Sequence, residues 1–220
     1  MDRKDWLKKK RRLAEERYDN IFSENYDSNW GQIDPSHNKV VTKILELTPR
    51  SGSILDAACG TGKYWKMILE KDVSLMGIDQ SEEMLRKAES KFPQVKTRKL
   101  GLQEIDYTEQ FDSIICIDAM ENIPPEDWPQ VLNNFFQSLK KSGHLYFTVE
   151  LISDEDVEEA FLEGKRMGLP IVKGEHAHQG GYHYYPTIEQ VRDWTVDVGF
   201  RTIEGRSGDG YHHFLLTKYS

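Results

Sequence analysis

The chain reads as an α/β protein built on a mainly parallel sheet with helices on both faces. Three observations predict this. Between residues 53 and 150, short apolar runs alternate with helical stretches, the pattern of successive βαβ units. The run Phe111 to Ile117 is largely apolar, as expected of a strand covered on both faces. A glycine turn, Gly60-Thr61-Gly62, joins the first strand of the series to the next helix. Right-handed crossovers place ligands of such sheets at the carboxyl ends of the strands.

Each element follows from its spacing. Trp6, Leu7, Leu13, Ala14, Tyr18, Ile21 and Phe22 recur at helical intervals and predict a helix over 3–24. The polar and aromatic stretch Tyr26 to Gln32 reads as a loop. Asp34-Pro35-Ser36 signals a helix start, with Val40, Val41, Ile44, Leu45 and Leu47 as its buried face. Strands are predicted at 53–57, 73–78, 95–100, 111–117, 143–151, 200–204 and 211–218. Helices are predicted at 63–70, 81–91, 128–139, 154–167 and 187–198, with Ser81 as an N-cap and Gly199 closing the last.

Composition narrows the function. In 220 residues, 38% apolar and 30% charged residues describe a soluble globular chain. No run of about 18 apolar residues exists, so no membrane span is expected. The N-terminus MDRKDWLKKKRR lacks an apolar core, so no secretory signal is expected. Cys59 and Cys116 lie in apolar strand-like contexts, which fits a reducing, cytoplasmic setting. A net charge of −8 argues against broad nucleic-acid binding. Residues 1–17 depart from it with eight Lys/Arg against four Asp/Glu, either a solvated helix face or an anion contact.

The glycine turn suits a particular ligand shape. Glycines admit a ligand close to the backbone, and a helix start offers free N–H groups. The third glycine of a dinucleotide fingerprint is missing, because position 65 is Trp65, and no P-loop pattern occurs. A ligand with a small charged end and a bulky remainder fits better than a pyrophosphate. The second strand ends at Asp79, whose two carboxylate oxygens can take both hydroxyls of a ribose. The same side chain could instead cap the helix that starts at Ser81.

The motifs ILDAACGTGKY (54–64), MGIDQSEEML (76–85) and FDSIICIDAMENI (111–123) resemble those of class I S-adenosylmethionine-dependent methyltransferases of the small-molecule type. Residues 143–150 resemble the fifth strand of that family. The resemblance implies a Rossmann-like, seven-stranded sheet with an antiparallel last strand and an N-terminal helical lid. One methyltransferase domain would span 1–220. Residues 1–48 would form the lid, and 49–220 the cofactor-binding core, with an acceptor-pocket insertion at about 152–186. It implies S-adenosylmethionine (SAM) as cofactor and S-adenosylhomocysteine (SAH) as product. Asp56, Ala58, Gly60 and Gly62 would surround the methionine moiety and Asp79 the ribose. Gln80, Met84, Leu102 and Gln103 would border the adenine. Ile117, Asp118 and Ala119 would lie under the sulfonium, and Tyr26 would reach in from the lid. The family often carries an acid just before the Leu102 position, and here that residue is Gly101.

Asn122-Ile123-Pro124-Pro125 is superficially like the N-P-P-Y motif of nucleic-acid amine methylases, but it falls several residues past the strand end. The acceptor region is instead expected at 171–186, where His176, His178, His183, Tyr182, Tyr184 and Tyr185 crowd together between glycines. A neutral imidazole can serve as a base and a tyrosine can orient an acceptor. His183 is the first candidate base, His178 the second, and Glu150 at the end of the fifth strand faces the same crevice. Trp30, Tyr182 and Tyr184 are the candidate acceptor contacts. The alternative is a polar aromatic surface loop. The histidine spacing matches no closed zinc signature, so no metal is expected. His212 and His213 are adjacent on a strand, so at most one can line the pocket.

The expected activity is methyl transfer to a small-molecule O or N nucleophile by a monomer or homodimer. Two rivals remain, methylation of a protein or peptide side chain and a SAM-binding module without transfer.

Overall fold

The protein is described by a computed structural model covering residues 2–177 and 181–219. Its main sheet has seven strands. They are β1 (Gly52–Ala57), β2 (Val73–Asp79), β3 (Lys96–Lys99), β4 (Phe111–Cys116), β5 (Leu139–Glu150), β8 (Phe200–Gly208) and β9 (Tyr211–Lys218). The order across the sheet is β3-β2-β1-β4-β5-β9-β8. Neighbours from β3 to β5 run parallel, and β9 is antiparallel to both β5 and β8. A two-stranded ribbon, β6 (Glu175–His176) with β7 (His183–Tyr184), stands apart from it. The strand order reverses between β1 and β4, so both strands open onto one crevice.

Helices cover both faces. α3 (Pro35–Leu47), α4 (Trp65–Leu69) and α5 (Glu82–Lys91) bury Val41, Ile44, Trp65, Ile68 and Ala88 with Ile54 and Ile115 in one core cluster. α6 (Trp128–Ser138) and α8 (Ile188–Val198) bury Trp128, Leu132, Phe135 and Val191 against Leu55, Ile114, Phe147 and Phe214 in the other. The alternate inward and outward positions of β1 and β4 supply the two sides, as the strand period requires. α7 (Asp154–Arg166) begins at Ser153, whose hydroxyl accepts from the Asp156 amide, and three acids in its first turn suit the helix dipole.

Several boundaries differ from the sequence reading. The N-terminal helix does not run unbroken to residue 24. α1 (Arg3–Arg17) passes into a π turn (Tyr18–Phe22) and a 3-10 turn (Ser23–Asn25). Asn20 and Ser23 side chains bond to the carbonyls of Glu16 and Asp19 there, which competes with the regular ladder. The stretch read as a loop contains a short helix, α2 (Tyr26–Trp30), held by a Phe22–Trp30–Tyr26 aromatic run. β5 starts earlier, at Leu139, and shifts register against β4 between Phe111 and Ser113.

The N-terminal segment is bolted across the strand ends. Trp6 is buried edge-on against Tyr182, and the Arg3 guanidinium bonds Glu175 through Nη1 at 2.9 Å and Nη2 at 2.8 Å. Asp19 accepts from the Ser81 hydroxyl at 2.6 Å, so it meets the start of α5. The Asp27 carboxylate takes the Thr61 hydroxyl and, at 2.8 Å, the Lys91 ammonium. Among the described residues no helix is long and apolar enough to cross a membrane.

Candidate functional site

The turn after β1 is shaped by one buried tryptophan. Trp65 is fully buried beneath the loop, and its indole N–H donates to the Asp56 carboxylate at 2.8 Å. A Cβ at Gly62, where φ is +77°, would stand 2.7 Å from that ring, and one at Gly77 would stand 2.4 Å from it. Both glycines therefore make room for Trp65. The residue that breaks the dinucleotide fingerprint is what supports this turn.

Asp79 does two things at once. One carboxylate oxygen accepts from the Gly60 amide and the other from the Ser81 amide, both at 2.8 Å. It thus holds the glycine turn to the start of α5, whose N-cap is Ser81, the Ser81 hydroxyl accepting from the Met84 amide. Each oxygen keeps a second lone pair. Burial pushes this carboxyl up to about 6, against the pull of the Ser81 and Gly60 amides. Burial likewise pushes Asp56 up to about 7, with the Trp65 bond opposing and the Asp79 charge adding to it.

These groups line a cavity that also takes in Tyr26, Ala58, Gly60, Gln80, Met84, Leu102, Gln103, Ile117, Asp118 and Ala119. All the expected cofactor contacts line it except Gly62, which is spent on packing. Arg11, Tyr18, Lys63, Tyr64 and Asn122 line it as well. The missing acid at Gly101 has a counterpart. A Cβ there would meet the Arg11 guanidinium at 2.4 Å, and Arg11 pairs with Glu104 at 2.8 Å.

Residues 54–143 match the model of a family described as a methyltransferase domain. An uncharacterized methyltransferase of Schizosaccharomyces pombe is 30% identical over 156 residues, 64% of this chain and 52% of that protein. A Bacillus subtilis protein with a provisional methyltransferase name is 36% identical over 115 residues, 49% of this chain and 47% of its own. The chain spans about half the length of these two curated relatives. In fold it is similar to a magnesium protoporphyrin IX methyltransferase from Synechocystis crystallised with SAM, at a TM-score of 0.69 and 15% identity, over 95% of this chain and 97% of that one. The segment 54–143 thus resembles a methyltransferase domain, and the fold is that of S-adenosylmethionine-dependent methyltransferases of known structure.

A second cavity, about 500 Å³, adjoins the first. The two share Ala14, Tyr18, Tyr26, Lys63, Asp118 and Asn122. Asp118 ends β4 with a left-handed φ of 54°, its amide donating to the Thr148 hydroxyl at 2.9 Å. Its carboxylate accepts from Nε2 of the fully buried His37 at 3.1 Å and lies 3.9 Å from the Lys63 ammonium. His37 packs edge-on against Tyr211 and His213 behind it.

Trp30, Tyr182, His183 and Glu150 all line this second cavity. Tyr182 also donates its hydroxyl to Glu175, which fixes its ring under α1. Tyr184 lies outside the lining. It is buried, and its hydroxyl donates to Gln190 at 3.0 Å, so its place is in packing rather than at the crevice. His183 Nδ1 lies 3.0 Å from the Tyr185 hydroxyl and 3.7 Å from Glu150. Burial, with His176 and Arg17 nearby, pushes its imidazole down to about 4. His178 falls outside the described residues. Neither His212 nor His213 lines either cavity: they bond Ser207 and Tyr146 respectively.

The sequence reading missed His37, Lys63 and Glu121. Glu121 lies inside the motif 111–123, but its role depends on the turn Met120–Asn122 folding it back toward the crevice. His37 gave no signal, because its partner Asp118 is 81 residues away.

Proposed function

We propose that the chain transfers a methyl group from SAM, bound in the first cavity, to an O or N nucleophile of a small molecule bound in the second. The wall shared by the two cavities, Ala14, Tyr18, Tyr26, Lys63, Asp118 and Asn122, carries this reading. Ligands on its two sides would meet at the end of β4.

The first cavity fits the cofactor chemically. SAM carries an ammonium and a sulfonium besides its ribose diol. Asp56 and Asp79 are buried carboxylates held above their ordinary range, which is the state of anions lacking a cation. When bound, SAM supplies a methyl group already activated by the sulfonium. The residues of this chain then have to position, dry and deprotonate. Asp79 would take the ribose hydroxyls while still bracing the turn. Asp56 would face the methionine end. Leu102, Met84 and Ile123 offer an apolar slot for the adenine. Tyr18 and Tyr26, from residues 1–48, would cover the cofactor as a lid within one domain of residues 1–220.

A second cavity of about 500 Å³ is of the size that encloses a small molecule. The remaining site roles proposed are Trp30 and Tyr182 as acceptor contacts and Glu150 with His183 as groups near the reacting atom. Buried free thiols at Cys59 and Cys116 support work in the cytoplasm; the chain is proposed to act as a monomer or homodimer. The test is label transfer. With methyl-tritiated SAM and a panel of phenols, carboxylic acids and amines, tritium should enter the small-molecule fraction. Label found only in protein, or none with SAM bound, would contradict the proposal.

A further inference from the structure

One acidic side chain of the second cavity has an oxygen without a partner. Glu121 is 7% exposed and lines the second cavity but not the first. Its Oε1 accepts from the Asn122 amide group at 3.4 Å, while Oε2 is buried with no hydrogen-bond partner. Among the described residues it makes no salt bridge. Glu175 shows what this fold does with a structural buried glutamate. That carboxylate takes both Arg3 Nη groups, the Val172 amide and the Tyr182 hydroxyl. Native interiors satisfy buried polar groups in this way, so a half-satisfied carboxylate on a residue that lines a cavity points to a ligand.

The surroundings say which ligand. Glu150, Asp118 and Asp34 add three more carboxylates to the lining, against Arg17 and Lys63. Lys63 already faces Asp118. Phe22, Trp30 and Tyr26 form a continuous wall, with ring centroids 5.5 and 5.4 Å apart. Aromatic faces and carboxylates both attract cations.

We propose that the acceptor is an organic amine that enters as its ammonium ion, held between Glu121 and the Phe22–Tyr26–Trp30 wall, and that Glu121 removes its proton. This rests on the methyl-transfer reading above. The ammonium R–NH3+ gives one proton to the Glu121 carboxylate and becomes R–NH2 with a free lone pair. That pair forms the new C–N bond as the C–S bond breaks, its electrons staying on sulfur as SAH forms. The product leaves as R–NH2–CH3+, and the proton on Glu121 passes to solvent, one per methyl transferred. Burial, aided by the Asp118 and Glu150 charges, pushes Glu121 up to about 8, so its carboxylate is a far stronger base than the His183 imidazole.

The test is calorimetry with saturating SAH. Ethylamine, benzylamine and tyramine are each compared with the matched carboxylic acid and the matched compound lacking the amine. At least one amine should bind ten-fold or more tightly than both counterparts. Glu121→Gln should erase that preference and leave SAH affinity unchanged, which also shows that the variant folds. Trp30→Ala should weaken the same amine several-fold. No amine preference in any set, or a preference that survives Glu121→Gln, would overturn the proposal. Wild-type protein that binds no SAH would overturn the methyl-transfer reading itself.

Discussion

The two cavities proposed to hold cofactor and acceptor share a wall, yet they are assembled differently. The first is drawn from consecutive strand ends: Asp56 to Gly60 after β1, Asp79 and Gln80 after β2, Leu100 to Gln103 after β3 and Ile117 to Ala119 after β4. Much of its shape is backbone, set by left-handed residues such as Ala58, Gly60 and Asp118. The second is drawn from scattered side chains: Arg17 to Asp34 of the N-terminal segment, Lys63, Glu121, Glu150, His183 and Tyr211. A backbone-built site is rigid and general. A side-chain-built site can differ in every residue while the sheet stays the same, which is where acceptor choice would reside.

The comparison can be broken from the cofactor side first. Trp65→Ala removes the ring under the turn and leaves Asp56 without its donor. It should cost about 3–5 kcal/mol of stability, read by denaturant unfolding. A loss under 1 kcal/mol would mean that the turn does not depend on Trp65. Asp79→Ala cuts the tie between Gly60 and Ser81. SAH affinity should fall by about 1.5–3 kcal/mol, the usual cost of losing a charged hydrogen-bond partner. Unchanged affinity would remove Asp79 from the cofactor site.

The acceptor side should respond differently. Glu121 has its carboxyl near 8 in the folded protein, against an ordinary carboxylate value near ~4.3 unfolded. Below the ordinary range it is protonated in both states and costs nothing. As pH rises from about 4.3 to about 8, the unfolded chain is ionised while the folded one still holds the proton, so stability is lost across that window and levels off above it. Glu121→Gln should therefore melt higher than wild type at pH 9, by about 1–2 kcal/mol, and nearly level with it at pH 4. An equal shift at both pH values would show that the effect is packing rather than ionisation. Trp30, 46% exposed, should contribute least to the fold. Trp30→Ala should change stability by no more than about 0.5 kcal/mol, so that any effect on acceptor binding is local.

This contrast also explains what the sequence could tell. Ser53 to Ala57 and Val73 to Asp79 announce themselves, since a covered strand must be apolar and the turn after it must bend. The first cavity is contiguous with those signals, so Asp56, Gly60, Asp79 and Leu102 could be placed in its lining beforehand. Gly62 misleads because a glycine that admits a ligand and one that admits Trp65 look alike in sequence. Across the wall, the histidine and tyrosine cluster was visible, but its orientation was not. Tyr184 turns to Gln190, whereas Tyr182 turns to Glu175 and still borders the cavity. The helical pattern over 3–24 was legible, but not the π turn that leaves Tyr18 and Phe22 lining the second cavity. Glu121 and His37 depend on tertiary placement that no local periodicity encodes.

The central claim is that the backbone-built cavity is a working SAM site. It is tested most directly by calorimetric titration of the wild-type protein with SAM and with SAH. The structure predicts one molecule bound per chain in both titrations. Absence of heat and of competition with either ligand would contradict that claim.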